Sequence, residues 1–166
     1  MRRILILGAG TGGTMMANKL VRALSGRDWR VTVVDHRDIY LQAARFPPNT
    51  HLIPSRAAEV AQAVQLDDYS AAIVMSHHLD SDLNYLRALA ASRVPYVGLL
   101  GPAARREKLL SDLGADAEKL RPRLRAPVGL DIGGRTPESI ALSIVGEVHA
   151  VLAGRGGRPF SETTHT

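Results

Sequence analysis

Apolar residues in this chain follow two spacings that alternate along its length. Short continuous runs closing on glycine, serine or aspartate are separated by stretches with an apolar residue at every third or fourth position. The first spacing suits strands buried on both faces and the second suits amphipathic helices; their alternation predicts a parallel sheet covered on both sides. RILILG (3–8) predicts a first strand, and TMMANKLVRAL (14–24) a helix with Met16, Leu20, Val21 and Leu24 on one face. RVTVVD (30–35) predicts a second strand ended by Asp35, and HLIP (51–54) a short third after an irregular stretch stopped by Pro47 and Pro48. A modest helix over 56–64 leads to a fourth strand, AAIVMS (71–76), and then to a helix capped by Asp80 and carrying Leu83, Leu86 and Leu89.

PYVGLLG (95–101) predicts the fifth strand, and Pro102, at a first helical position, opens a helix through Leu109, Leu110 and Leu113 to Gly114. RAPVGLDIGG (125–134) predicts a short sixth strand and a glycine turn. Thr136 as N-cap and Pro137 behind it start a last helix, with Ile140, Ile144, Val145, Val148 and Val151 inward, ending near Gly154. The expectation is a Rossmann-like doubly wound parallel sheet, a single three-layer α/β domain over residues 1–154 in the strand order 3-2-1-4-5-6, with a flexible tail at 155–166. In that order the first and fourth strands are neighbours, and the crevice at their carboxyl ends is where ligands bind.

Composition narrows the classes. With 45% hydrophobic and 22% charged residues in 166, the chain can bury one sizeable core. The net charge of +5 comes almost wholly from scattered arginines, and aromatics are only 4%, which argues against a nucleic-acid stripe. The absence of cysteine removes disulfides, thiolate metal sites and a cysteine nucleophile. The apolar run in MRRILILGAG is too short for a signal peptide or a membrane anchor, so a cytoplasmic protein without membrane contact is expected.

Three segments carry candidate chemistry. GAGTGG places Gly8, Gly10 and Gly13 in G-x-G-x-x-G spacing between a strand and a helix, followed by Thr11 at the helix start. The glycines permit a tight turn, close approach of backbone to a pyrophosphate and close helix packing, and the helix N-terminus offers free N–H groups. Asp35, 22 residues past Gly13, stands where a carboxylate accepts from ribose hydroxyls. Arg37 either meets a 2′-phosphate or is solvated, which leaves NAD, NADP and FAD open. Around the fourth strand, SHHLD offers His77, His78 and Asp80 as the lip of a ligand pocket, as a helix entry, or, with two ligands and no third, as a poor metal site. Gly101 with Arg105 and Arg106 follows the fifth strand. Asp131, Gly133 and Thr136 belong to a loop at the same edge, where Asp131 is a general base, a ligand acceptor or a loop cap.

From about residue 30 to 154 the chain resembles the C-terminal Rossmann domain of the xanthine dehydrogenase accessory proteins, the XdhC/CoxI family. The resemblance rests on VTVVDHR, RFPP, VMSHHLDSDLNYL, YVGLLGPAARREKLL and RLRAPVGLDIGGRTPESIALSIVGEV, in that order. It implies an accessory protein that binds molybdenum cofactor, supports its sulfuration with a cysteine desulfurase, and passes it to a molybdenum hydroxylase apoenzyme such as xanthine dehydrogenase. It also implies that SHHLD, GLLGPAARR and GLDIGGRTPE wall one pocket. Family members commonly carry a preceding domain with a cysteine-bearing motif; this chain opens at the first strand without cysteine. The opening ILILGAGTGGTMMANKL resembles the FAD-binding start of sulfide:quinone reductase-type flavoproteins. Alternatives to the accessory role are therefore an NAD(P)- or FAD-dependent oxidoreductase or its nucleotide-binding subunit, and a nucleotide-sensing module without chemistry. A homodimer would let a second copy cover the crevice.

Overall fold

The computed structural model describes residues 1–24 and 28–162. Six strands, β1 (Arg2–Leu7), β2 (Trp29–Asp35), β3 (His51–Pro54), β4 (Ala71–Val74), β5 (Val97–Leu99) and β6 (Leu124–Arg125), form one parallel sheet in the order β3-β2-β1-β4-β5-β6. Helices α1 (Thr11–Ala23) and α6 (Pro137–Leu152) cover one face. On the other lie α2 (Val60–Ala63), α3 (Leu79–Ala90), α4 (Ala103–Leu113) and α5 (Asp116–Leu120). The continuous apolar runs are explained by this double covering. Leu5 and Leu7 of β1 pack with Leu86 and Leu89 of α3, while Ile4 and Ile6 pack with Met16 and Leu20 of α1 and Ile144 of α6.

Register fixes the functional edge. Leu7 is level with Val34 on one side and Val74 on the other, so Gly8, Asp35 and the pair Met75 and Ser76 emerge together at the carboxyl end of the sheet. Gly8 sits at φ +115°, and a Cβ there would lie 2.6 Å from the Ser76 Cα; a Cβ at Gly13 would collide with the Gly8 carbonyl oxygen. Only glycine lets the turn, the helix and the fourth strand close on one another at these two points.

Local expectations are corrected in four places. Asp80 does not cap α3: the helix begins at Leu79 with His78 as N-cap and no side-chain capping bond, and Asp80 is exposed in the first turn. The reason is Asp82, whose buried carboxylate accepts from the N–H and hydroxyl of Ser76 and so closes the loop behind β4. The sixth strand, expected as a short one opening at Arg125, is instead the two residues Leu124 and Arg125 and ends where that segment begins. Pro127, which follows a cis peptide bond, has no N–H for the ladder. Pro102 is the N-cap of α4 and not its first helical residue. The helix expected over 56–64 is a 3₁₀ turn, Ala57–Glu59, running into the four-residue α2. Thr136 does cap α6, accepting from the Ser139 N–H at 3.2 Å.

Of the expected tail, residues 163–166 lie outside the described residues. Its described part includes a 3₁₀ turn at Phe160–Glu162 and backbone at Gly157 that lies against Leu130. Among the described residues no helix is long and apolar enough to cross a membrane.

Candidate functional site at the carboxyl edge of the sheet

Gly10 is the N-cap of α1, and a Cβ built on it would meet nothing within 4 Å. The first turn behind it, Thr11, Gly12 and Gly13, carries no acidic residue and no capping side chain, so the positive end of the helix dipole is left uncapped. Across the crevice, His77 is held at φ +62°, and its Nε2 comes within 3.5 Å of a Cβ built on Gly12. Exposed His77 therefore stands over the glycine turn, with exposed Thr11 at the start of α1 and exposed His78 next along its loop. Left-handed backbone is uncommon for a residue with a side chain, and at such an edge it is a functional pointer.

Asp35 reaches this opening differently from the expectation. Its side chain is only 2% exposed, and its two oxygens accept four hydrogen bonds. Oδ2 takes the Ala9 N–H at 2.8 Å and Arg37 Nη2 at 2.8 Å; Oδ1 takes the Arg37 N–H and Nε, both at 2.9 Å. Burial by itself raises a carboxyl pKa, but the bidentate arginine and the two backbone donors outweigh it and bring Asp35 down to about 2. The carboxylate thus pins the glycine turn to the end of β2. Arg37 is no solvated side chain: it is fixed by this pair and stacked over Tyr40 at 4.3 Å.

A second ionic network joins the loops after β4 and β5. Asp82, fully buried, binds Arg105 through Nε at 3.1 Å and Nη2 at 2.6 Å as well as both Ser76 donors. Gly101, at φ +139°, leaves room for the Arg105 stem: a Cβ there would lie 2.7 Å from its Cδ. Arg106 turns away and donates to the Ala126 carbonyl at 2.7 Å, steadying the chain after β6. Tyr85 of α3 lies within electrostatic reach of Asp35, Asp82 and Arg37; burial, reinforced by the two carboxylates and opposed by Arg37, raises its pKa and keeps the phenol a donor. Its hydroxyl has no hydrogen bond among the described residues.

The 131–136 loop is built separately. Glu147 of α6 accepts from the Gly129 N–H at 2.8 Å and from the Tyr96 hydroxyl at 2.7 Å, and Ser143 donates to the Leu130 carbonyl. Asp131, Gly133 and Thr136 are exposed, and among the described residues no hydrogen bond or ion pair ties them to residues 77–82. The three segments share one sheet edge; the structure brings the SHHLD and GPAARR loops into contact and leaves the third apart. The sequence reading missed Ser76, Asp82 and Tyr85; it singled out Arg105, but for an anion or for solvent instead of for Asp82. One signal was available: Asp82 falls on the helical face of Leu86 and Leu89, so a carboxylate in that stripe had to be buried and paired.

A cavity of about 530 Å³ lined by Met1, Trp29, Arg30, Asn49 and His51 lies at the opposite, amino end of the strands. Among the described residues no three His, Asp or Glu side chains converge to hold a metal ion. Over residues 4–148 the sequence matches the XdhC Rossmann domain. The chain belongs to the XdhC family. It is 33% identical over 146 residues to a probable xanthine dehydrogenase subunit of Bacillus subtilis, covering 88% of this chain and 42% of that protein. It is also 33% identical over 92 residues to the molybdenum cofactor insertion chaperone PaoD of Escherichia coli, covering 54% and 29%. The chain thus spans less than half the length of these XdhC relatives. Its fold is similar to that of a xanthine dehydrogenase from Bacillus halodurans, with a TM-score of 0.78 at 24% identity, over 98% of this chain and 45% of that one.

Proposed function

We propose that this XdhC Rossmann domain holds molybdenum cofactor, or its nucleotide form, as cargo during maturation of a molybdenum hydroxylase. The observation that carries the reading is the opening above Gly10, bordered by His77 and the free N–H groups of α1, in a chain matching the XdhC domain over residues 4–148. The cargo fits the donors on hand. A phosphate suits the α1 N-terminus, where two of the first three residues are glycine, the first turn holds no acid, and the nearby Asp35 is neutralised by Arg37. With no cluster of metal ligands among the described residues, the molybdenum would be carried through the pterin and phosphate parts of the cofactor, not gripped by side chains.

In this reading Gly8, Gly10, Thr11 and Gly13 receive phosphate. His77, His78 and Asp80 form the lip, Gly101 shapes the wall through Arg105, and Asp131, Gly133 and Thr136 present the outer edge toward the recipient. Asp35 holds the glycine turn in place. The partners are a hydroxylase apoenzyme and a cysteine desulfurase, and the setting is cytoplasmic; a homodimer would close the crevice.

The test is to express the chain in a host that makes molybdenum cofactor, denature it, and record fluorescence of the released small molecules before and after oxidation. An oxidised-pterin signal in stoichiometric amount supports the cargo. A flavin spectrum, or nicotinamide nucleotide binding without pterin, overturns it in favour of a dinucleotide-dependent protein, the reading that the G-x-G-x-x-G turn alone supports.

A further inference from the structure

A free carboxylate at the end of the second strand is the feature that takes the two ribose hydroxyls in a dinucleotide-binding sheet. Here that carboxylate has nothing left to offer. Two oxygens provide about four acceptor positions, and Ala9 and Arg37 fill four of them while the side chain stays out of contact with solvent. A ribose diol arriving at β2 would find a satisfied, neutralised ion pair.

Two arginines at this place keep donors to spare. Arg37 keeps Nη1 without a hydrogen bond among the described residues. Arg45 packs over the same Tyr40 ring, 5.4 Å from its centre, and makes one long bond from Nη1 to the Ile39 carbonyl at 3.3 Å; it has no acidic partner among the described residues. The segment is tied to the crevice, because Asn18 of α1 donates to the Arg45 carbonyl at 2.9 Å. His36, half-exposed, stands beside the pair. Asp38 is the other carboxylate in this turn; it is exposed and pairs with neither arginine. With Asp35 cancelling Arg37, the charge of Arg45 and the unused donors of both guanidiniums are uncompensated among the described residues, and both guanidiniums lie over the Tyr40 ring.

We propose that the carboxyl end of β2 is a phosphate-monoester subsite, in which Arg37 and Arg45 receive a dianionic phosphate in place of a ribose diol. Planar guanidiniums present paired donors matched to phosphate oxygens. The phosphate comes from one of two sources, the 2′-phosphate of a phosphorylated dinucleotide or the terminal phosphate of a pterin cofactor not yet joined to a nucleotide. The inference rests on the crevice being a ligand site and does not require the cargo to be molybdenum cofactor.

Titration calorimetry on the full chain with adenosine 2′,5′-bisphosphate and with adenosine 5′-monophosphate isolates the second phosphate. The bisphosphate is expected to bind at least tenfold more tightly, and Arg45→Gln, which keeps a stem over Tyr40 and leaves the Asp35 pair intact, is expected to remove most of that preference. A parallel pair, an oxidised pterin phosphate before and after phosphatase treatment, distinguishes the sources: a loss on dephosphorylation that Arg45→Gln abolishes assigns the subsite to the pterin. Equal affinity within both pairs, or a preference that survives Arg45→Gln unchanged, overturns the subsite. A bisphosphate preference in a chain that releases no pterin upholds the subsite while removing the molybdenum cargo, so the two readings fail separately.

Discussion

Replacing Arg105 by Met tests the ionic network that joins the loops after β4 and β5. Asp82 is fully buried, and Arg105, with a side chain 21% exposed, supplies two of its four hydrogen bonds. Breaking a buried pair by removing one partner costs about 3–5 kcal/mol, because the remaining charge stays desolvated. Two Ser76 donors remain on Asp82 and water reaches the arginine side, so the lower end applies, about 3 kcal/mol. With a urea dependence of about 2 kcal/mol per molar, the unfolding midpoint should fall by about 1.5 M. The double variant Asp82→Leu/Arg105→Met removes the orphaned charge and leaves only the Ser76 donors unpaired, a cost of about 1–2 kcal/mol. It should therefore be more stable than Arg105→Met alone. Urea unfolding followed by circular dichroism reads both. A midpoint shift below about 0.5 M for Arg105→Met, or a double variant that loses the sum of the two single losses, would refute the reasoning.

Three further outcomes follow from the same geometry. Asp35→Asn should lose about 2 kcal/mol at neutral pH, since the folded carboxyl titrates near 2 against its usual 3.8. That stabilisation is complete above about pH 4 and disappears as pH falls through about 2, so unfolding curves of wild type and variant should converge in acid; a constant gap would contradict the ion pair. Gly13→Ala should destabilise by about 1–3 kcal/mol or more through collision with the Gly8 backbone, whereas Gly10→Ala, with open space at its Cβ, should keep the melting temperature and, under the proposed cargo role, lower the amount of pterin released from the purified chain. Arg123 donates to the carbonyls of Leu89, Ser92 and Val94 at the end of α3, and Arg123→Ala should cost about 2–3 kcal/mol and speed amide exchange in that last turn.

The fold was legible because both faces of the sheet are buried. RILILG, RVTVVD and AAIVMS had to be continuous apolar runs, and the stripes at Met16 and Leu20, or Ile144 and Val148, could belong only to covering helices. The glycine turn was legible for a related reason: contact distances at Gly8 and Gly13 exclude a Cβ, and a steric exclusion leaves its mark on residue type. The polar site was legible only in its location. Asp80 and Asp82 are two residues apart; the spacing to Leu86 and Leu89 marks Asp82 as the inward one, but it does not name Arg105 and Ser76 as its partners.

The sequence by itself determined the layer order, the strand order and the edge at which the glycine turn emerges, because burial and backbone sterics act locally and repeat with a fixed period. Tertiary structure alone decided the charges. Whether Asp35 greets a ligand or holds the glycine turn depends on Arg37 folding back and on Ala9 arriving from another strand. Whether Arg105 meets solvent or a carboxylate depends on Asp82, 23 residues away. An ion pair is set by distances of about 3 Å between side chains brought together by the sheet, and no periodicity along the chain encodes those distances.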